Sequence, residues 1–364
     1  MDKKICVYAI AKNEIKFIDR WYDSVKEADK IFVLDTGSED DTVKKLKRKE
    51  KIIVKEDKII PWRFDVARNK NLDMVDIDTD ICICIDIDEV IIPGWRNVLE
   101  EIWDSNTTRL AYTYNWYIDE NNQPKVTFNI EKIHSRIGYK WTHPVHEVLS
   151  LTGEIEENKK ITDKIIVNHY PDNTKSRNSY LPLLELSVKE DSTDDRNMHY
   201  LGREYMYYKR YDEAIDTLIK HLRLPKAIWK PERAASMRFI GRCYFNMNRY
   251  DEAIMWYKKA IKEAPYLRDG YVELSLLHYN LKDYNKVIYY TNKALKITTK
   301  DNVYINEVFS WDHTIYDIRS IAYYYTNKYK AAYKNSILAL KLNPTDERLI
   351  NNNKIIQNKL KELY

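Results

Sequence analysis

The stretch ICICIDIDEVIIPGW, residues 81–95, opens as alternating isoleucine and cysteine and ends in two aspartates, a glutamate and a proline. Its apolar start predicts a buried β-strand, and the carboxylates mark where that strand stops. In an extended strand Asp86 and Asp88 project from one face and can converge on one cation. A hard divalent ion such as Mg²⁺ or Mn²⁺ takes oxygen ligands of this kind, with substrate phosphates completing its shell. Carboxylates this close repel one another unless a cation or a proton intervenes. Solvated aspartates at strand ends are common, so the pair acquires meaning only from its surroundings.

Upstream, strand and helix signals alternate. ICVYAIA (5–11) reads as a strand, EIKFIDRWYDSVKEA (14–28) has helical apolar spacing, and KIFVLDTGS (30–38) is a second strand ending in a turn. DDTVKKLKRKE (40–50) gives another helix, KIIVKED (51–57) a strand, FDVARNKNLDMV (64–75) a helix, and DICICIDIDE (80–89) the fourth strand. This alternation predicts a parallel sheet with helices on both faces, an architecture that binds ligands at the carboxyl ends of its strands. LAYTYNWYIDE (110–120) and PKVTFNIEKI (124–133) predict a hairpin on the acceptor side of such a pocket.

From about residue 197 the pattern becomes paired helices. LGREYMYYKRYDEAI (201–215), IGRCYFNMNRYDEAI (240–254), LSLLHYNLKDYNKVI (274–288) and SIAYYYTNKYKAAY (320–333) repeat one another. The tyrosines before each second helix, Tyr211, Tyr250, Tyr284 and Tyr329, are 39, 34 and 45 residues apart, and the middle value is the tetratricopeptide period. Gly241, Tyr244, Ala253, Tyr257, Ala260 and Pro265 follow that family's order of small, aromatic and terminating residues. The expected organisation is an α/β domain over 1–180, a tetratricopeptide array over 195–344 and a capping helix over 345–364. Such arrays present a concave surface that holds a partner or a second protomer, so a homodimer through the repeats is one expectation.

Composition bounds the rest. The chain has 364 residues, 44% hydrophobic and 32% charged, enough for two domains with their own cores. No apolar run reaches the roughly 20 residues needed to cross a bilayer, and Asn13 and Glu14 end the first apolar run without a cleavage site. Four cysteines make no disulfide framework, which points to a reducing, cytoplasmic setting. A net charge of +4, with both signs interspersed, argues against nucleic acid as a partner.

Taken in order, AIAKNE (9–14), LDTGSEDDT (34–42), WRFDVARNKNLD (62–73) and IDIDEV (85–90) resemble the inverting GT-A glycosyltransferases that use nucleotide-diphospho-sugars, over roughly residues 5–95. The resemblance implies a GT-A-like, Rossmann-like mixed sheet and a UDP-sugar donor. It implies that Asp35 bonds the uracil ring, that Asn13 and Glu14 line the nucleotide pocket, and that Arg68 reaches the nucleotide. Asp86 would lie near the ribose and metal, and Asp88 would be the principal ligand of Mn²⁺ or Mg²⁺. The residues themselves also allow Asp35 to cap a turn and Arg68 to be a surface ion-pair residue.

YKWTHPVHEVL (139–149) and IIVNHYPDN (165–173) are similar to a subset of these enzymes that carry C-terminal tetratricopeptide repeats, including the peptide cysteine S-glycosyltransferases of the sublancin type. By that resemblance His169, then His146, is the candidate further metal ligand, and the acceptor is a peptide or protein. Inverting transfer needs a carboxylate to take the acceptor's proton, and Glu147 is the candidate base. A histidine in such a place is equally read as a hydrogen-bonded structural residue.

His134, His143 and His146 also invite a zinc-hydrolase reading, which Pro144 between the last two and the lack of an H-E-x-x-H disfavour. A sugar nucleotidyltransferase would need a glycine-rich loop after the first strand, where this chain has AIAKNE. Trp62, Trp95, Trp116 and Trp141 are expected around the pocket, as sugar-stacking faces or as core. The sequence thus predicts an inverting, metal-dependent hexosyltransferase. Its rival is a tetratricopeptide scaffold whose first domain has kept the fold and lost catalysis.

Overall fold

The computed structural model describes residues 3–153, 155–172 and 180–363. The chain divides into two compact units, one running through Lys189 with Asn302–Tyr304, the other taking Glu190–Asp301 and the chain from Ile305.

The first unit is built on a mixed eight-stranded sheet. Strands β1 (Ile5–Ala11), β2 (Lys30–Asp35), β3 (Ile52–Glu56) and β4 (Ile81–Cys84) are parallel in the order β3-β2-β1-β4. Helices α1 (Ile18–Val25), α2 (Thr42–Leu46) and α3 (Phe64–Leu72) connect them. Beyond β4 come β7 (Pro124–His134), β6 (Arg109–Ile118), β10 (Lys159–His169) and β5 (Glu89–Ile91), with antiparallel pairings that make the sheet mixed. The predicted hairpin is β6–β7.

Alternation along the parallel strands creates two cores. Ile5, Val7, Ala9, Ile31, Val33, Ile81 and Ile83 face α1 and α4 (Trp95–Ile102), packing on Trp21, Val25, Trp95 and Leu99. Cys6, Tyr8, Phe32, Cys82 and Cys84 face the other way, onto Leu72 of α3 and onto Trp141 and Leu149 of a small ribbon, β8 (Tyr139–Thr142) with β9 (Val148–Leu151). The cysteines are therefore packing groups, and burial pushes the Cys84 thiol up to about 12. Trp95 belongs to the first of these cores, its indole N–H bonded to the Ser24 carbonyl at 2.9 Å, which decides for core between the two readings of that tryptophan.

The fourth strand is shorter than its sequence suggests. It ends at Cys84, and the Glu89 amide bonds back to the Asp86 carbonyl at 2.9 Å to close a turn. Asp86 and Asp88 thus sit on a turn and not on an extended strand, so the same-face argument fails. Isoleucine at 85 and 87 is still buried, because the turn folds both into the core.

Helix α5 (Tyr180–Glu190) belongs to the first unit through Lys189. The second unit is a series of antiparallel helices: α6 (Asp195–Tyr207), α7 (Tyr211–Arg223), α8 (Lys230–Asn246), α9 (Tyr250–Glu263), α10 (Asp269–Asn280), α11 (Tyr284–Ala294), α12 (Thr314–Tyr325), α13 (Tyr329–Leu342) and α14 (Glu347–Leu363). Each marker tyrosine is the first residue of a second helix. The turn before it is the same every time. Lys209, Asn248, Lys282 and Asn327 lie at φ near +60°, and the next amide bonds back five residues, as Arg210 N–H to Tyr205 C=O and Asp283 N–H to His278 C=O, both at 2.9 Å. This is the Schellman ending, which glycine usually serves. Gly202 and Gly241 have a different role: a Cβ would fall within 2.5 Å of Leu218 Cγ or 2.7 Å of Tyr257 Cε1, so they set the closeness of paired helices.

Lysine in the left-handed region costs about 1–2 kcal/mol relative to glycine. Lys282→Gly is therefore expected to stabilise the protein by about 1 kcal/mol, read as a higher denaturation midpoint with no change in slope.

Candidate active site

The end of β4 faces a cluster of charges drawn from α3, β5, β7, the turn after β4 and the β8–β9 connection. Arg68 of α3 forks onto Asp86, Nη1 to Oδ1 at 2.7 Å and Nη2 to Oδ2 at 3.0 Å. Its Nε donates to Glu147 Oε1, and Nη1 also meets Cys84 Sγ at 3.1 Å. Trp141 lies under the guanidinium, 5.0 Å from ring centre to Cζ. Lys132 of β7 reaches Asp86 Oδ2 at 2.9 Å and Glu89 Oε1 at 3.0 Å. Glu89 also accepts from the Asp86 amide at 2.9 Å and from Tyr114 O–H at 2.8 Å.

These groups are largely removed from water; the Arg68 side chain is 6% exposed and that of Glu89 2%. Burial alone would raise the Asp86 carboxyl, but Arg68 and Lys132 overcome it and hold Asp86 far below the usual carboxylate range. Burial raises Glu89, with Asp86 and Asp88 adding to the rise and Lys132 opposing it. For Lys132, burial lowers and the two carboxylates raise; the carboxylates win. Arg68 is thus a buried clamp and not a surface ion-pair residue.

Beside this cluster lies a second, more open pair. Antiparallel pairing of β10 with β5 sets His169 opposite Glu89, and the Tyr170 amide bonds the Asp88 carbonyl at 2.8 Å. His169 Nε2 then stands 3.5 Å from Asp88 Oδ2. Its Nδ1 meets the Trp116 carbonyl at 3.1 Å; a carbonyl only accepts, so Nδ1 carries the proton and Nε2 is turned to the carboxylate. Trp116, 42% exposed, stacks on the same imidazole with centroids 4.6 Å apart.

A carboxylate oxygen and an oriented imidazole nitrogen at this spacing suit one divalent ion, and a backbone carbonyl fixing the ring is the usual support for a metal-ligating histidine. The mixed oxygen and nitrogen donors favour Mn²⁺ over Mg²⁺. Among the described residues no third histidine, cysteine or carboxylate closes a cluster with them, which leaves His146 outside the pair and leaves further ligand positions to phosphate and water. His146 has φ +51° and sets its ring edge-on to Tyr180. His134 is fully buried, Nε2 bonded to Tyr8 O–H at 2.8 Å and Nδ1 to the Ser135 carbonyl at 2.7 Å, and burial pushes it down to about 3. It is a structural histidine.

At the ends of β1 and β2, Asp35 is 2% exposed and accepts from the Gly37 and Ser38 amides at 3.0 and 2.9 Å and from Ser38 O–H. Three of about four lone-pair positions are used, so room for one more donor remains. Asn13 (φ +56°) accepts from the Glu39 amide on its side-chain oxygen and donates its own backbone N–H to Ser38 Oγ, both at 2.8 Å; the Glu14 amide donates to Thr42 Oγ1 at 2.8 Å. Together these contacts tie the loops after β1 and β2 into one rim. Trp62 packs edge-on against Phe64 at 5.0 Å.

Lys132, Glu89 and Tyr114 were not expected. Glu89 was visible in the opening motif; Lys132 was not, because only the pairing of β7 with β4, Cys82 opposite His134 and Ile83 opposite Ile133, carries it to the strand end.

Replacing Lys132 by Met strips the buried carboxylates of their cation, which is expected to cost about 3–5 kcal/mol at neutral pH. Glu89 lies above its unfolded value already and moves further up in the variant. A raised carboxyl contributes its full stability below its unfolded pKa of about 4.3 and loses it as pH rises through the folded pKa. The deficit of Lys132→Met should therefore grow from about pH 4 to pH 7, as urea midpoints measured across that range will show.

Residues 6–180 match the family model for glycosyl transferase family 2, and residues 239–266 match that for the tetratricopeptide repeat. No curated protein matches the chain. Solved structures with a likeness include MamA, at 20% identity over 46% of this chain and 89% of that one, TM-score 0.37. PilF of Pseudomonas aeruginosa matches at 15% over 49% and 72%, TM-score 0.38, and the tetratricopeptide protein YrrB at 13% over 48% and 82%, TM-score 0.37. Among the described residues no helix is long and apolar enough to cross a membrane. The chain thus joins a GT-A-like α/β domain, of which residues 6–180 are similar to glycosyl transferase family 2, to a series of paired helices, of which residues 239–266 are similar to the tetratricopeptide repeat.

Proposed function

We propose that this protein transfers a sugar from a UDP-sugar to a peptide or protein acceptor, with inversion, using Mn²⁺ or Mg²⁺ at Asp88 and His169. The observation that carries the reading is the oriented Asp88–His169 pair beside a carboxylate cluster that Arg68 and Lys132 pair from within but leave acidic. The ion would act as a Lewis acid for the departing diphosphate. Asp35 offers its remaining lone pair to the N–H of a pyrimidine ring, with Asn13 and Glu14 shaping the rim. Arg68, with four of five N–H groups engaged, keeps one Nη2 hydrogen for the nucleotide. Trp116 supplies an exposed ring for stacking against sugar or acceptor. Glu147 takes the acceptor's proton, which requires Arg68 to loosen its hold when donor binds. In this reading the repeats present the helical surface for an extended acceptor.

A second reading, a scaffold with a non-catalytic first domain, is favoured by one observation: Asp86, Glu89 and Glu147 each already have an ion-pair partner in Arg68 or Lys132. The two readings part on turnover. Purified protein with a panel of nucleotide-sugars and Mn²⁺ should release nucleoside diphosphate slowly from one donor, and Asp88→Asn should slow release about a hundredfold or more. Metal-dependent nucleotide binding with no release from any donor would establish the scaffold instead.

Glu147→Gln separates base from positioner. A base predicts kcat lower by about 10²–10⁴ with donor affinity unchanged. A group that only steadies Arg68 predicts weaker donor binding, measured by calorimetry, at nearly constant kcat.

A further inference from the structure

The second unit holds a cluster that sugar transfer does not use. Asp195 opens α6, His221 lies in the last turn of α7, and Glu232 lies in the first turn of α8. Each complements the dipole of its own helix, so each has an ordinary reason to be there. Their meeting is what needs an account: one ligand atom from each lies within 4.8 Å of the others.

His221 is 0% exposed, and its Nε2 makes no hydrogen bond among the described residues. That nitrogen is 3.4 Å from Glu232 Oε1, yet no hydrogen bond forms between them. Two donors bound tetrahedrally to one zinc ion at about 2.0–2.1 Å stand about 3.3 Å apart. The spacing is that of two ligands.

The far side of the ring agrees. Ser236, one turn beyond Glu232, places its hydroxyl 2.9 Å from His221 Nδ1 and 2.7 Å from His199 Nδ1. One hydroxyl proton serves one ring, so the other ring must donate. At 3.4 Å His221 Nε2 and Glu232 Oε1 are close enough for a hydrogen bond and make none, so the Nε2 direction passes beside Glu232 Oε1, as it does for two ligands that share an ion between them. With Ser236 donating to His199, His221 carries its proton on Nδ1 and turns a bare nitrogen lone pair toward two carboxylates. A buried imidazole nitrogen is rarely left without a partner. A hydrogen-bonded Nδ1 behind a free Nε2 is also how metal-binding histidines are held.

We propose that Asp195, His221 and Glu232 form a divalent transition-metal site, with Zn²⁺ as its natural ion. One nitrogen and two oxygens provide three ligands, and half-buried Asp195 leaves the fourth position to water and gives the ion its way in. The ion joins three successive helices and so fixes the first helix pair of the array to the next.

The test uses the full chain carrying Asp88→Asn, so that the proposed donor site does not report. Chelated protein is titrated with Co²⁺, followed by its visible d–d absorption, and with Zn²⁺, followed by Tm. A tetrahedral band saturating at a single equivalent and a rise in Tm with Zn²⁺ are expected. Adding His221→Gln or Asp195→Asn should weaken binding about a hundredfold or more, and Ser236→Ala about tenfold. Asp195 is half-exposed, so its variant keeps the test open should His221→Gln not fold. No band and no Zn²⁺-dependent Tm rise in the Asp88→Asn protein, or binding unchanged by both ligand substitutions, overturns the assignment.

Discussion

The bidentate grip of Arg68 on Asp86 governs the first unit. Strand β4 is apolar on both faces and cannot end in a carboxylate unless that charge is met inside the protein. Arg68 meets it from α3, and Lys132 meets it again from β7. Two cations then stand among four carboxylates, Asp86, Glu89, Glu147 and Asp88, so the cluster stays acidic after its internal pairs are made. Asp88 and His169 are at its open side, where an added cation would be both attracted and ligated.

Desolvation explains why this arrangement is fixed. A buried ion pair adds little stability beyond what apolar residues of the same shape would give, but removing one partner is costly. Geometry is therefore well specified: Glu147 orients the guanidinium, Trp141 supports its face, and the short turn at Asp86–Glu89 presents Asp88 outward. Polar order in a low-dielectric site is what transfer chemistry requires, since preorganised charges cost no reorganisation when the leaving group departs.

The parallel half of the sheet and the helical repeats were legible in the sequence because each rests on local periodicity. The run of Ile and Cys at 81–84, the marker tyrosines and the small residues Gly202 and Gly241 all declare their place within a few residues. The site was legible only in part. Asp86, Asp88, Arg68 and Glu147 stood out as residue types in motifs, but their partnerships depend on a register that brings positions 46 and 79 residues apart together. One expectation failed for a local reason: the strand was read as running through residue 89, whereas it ends at Cys84 and the chain turns before Glu89. The metal cluster at Asp195, His221 and Glu232 was invisible because three helices must pack before its atoms meet.

The most direct measurement is anomalous diffraction at the manganese edge from crystals grown with Mn²⁺ and UDP. A single strong peak within bonding distance of Asp88 and His169 Nε2, with the diphosphate completing the shell, is the predicted result. Diphosphate bound with no manganese at that pair, or manganese held by Asp86 after it has left Arg68 and Lys132, would contradict the account.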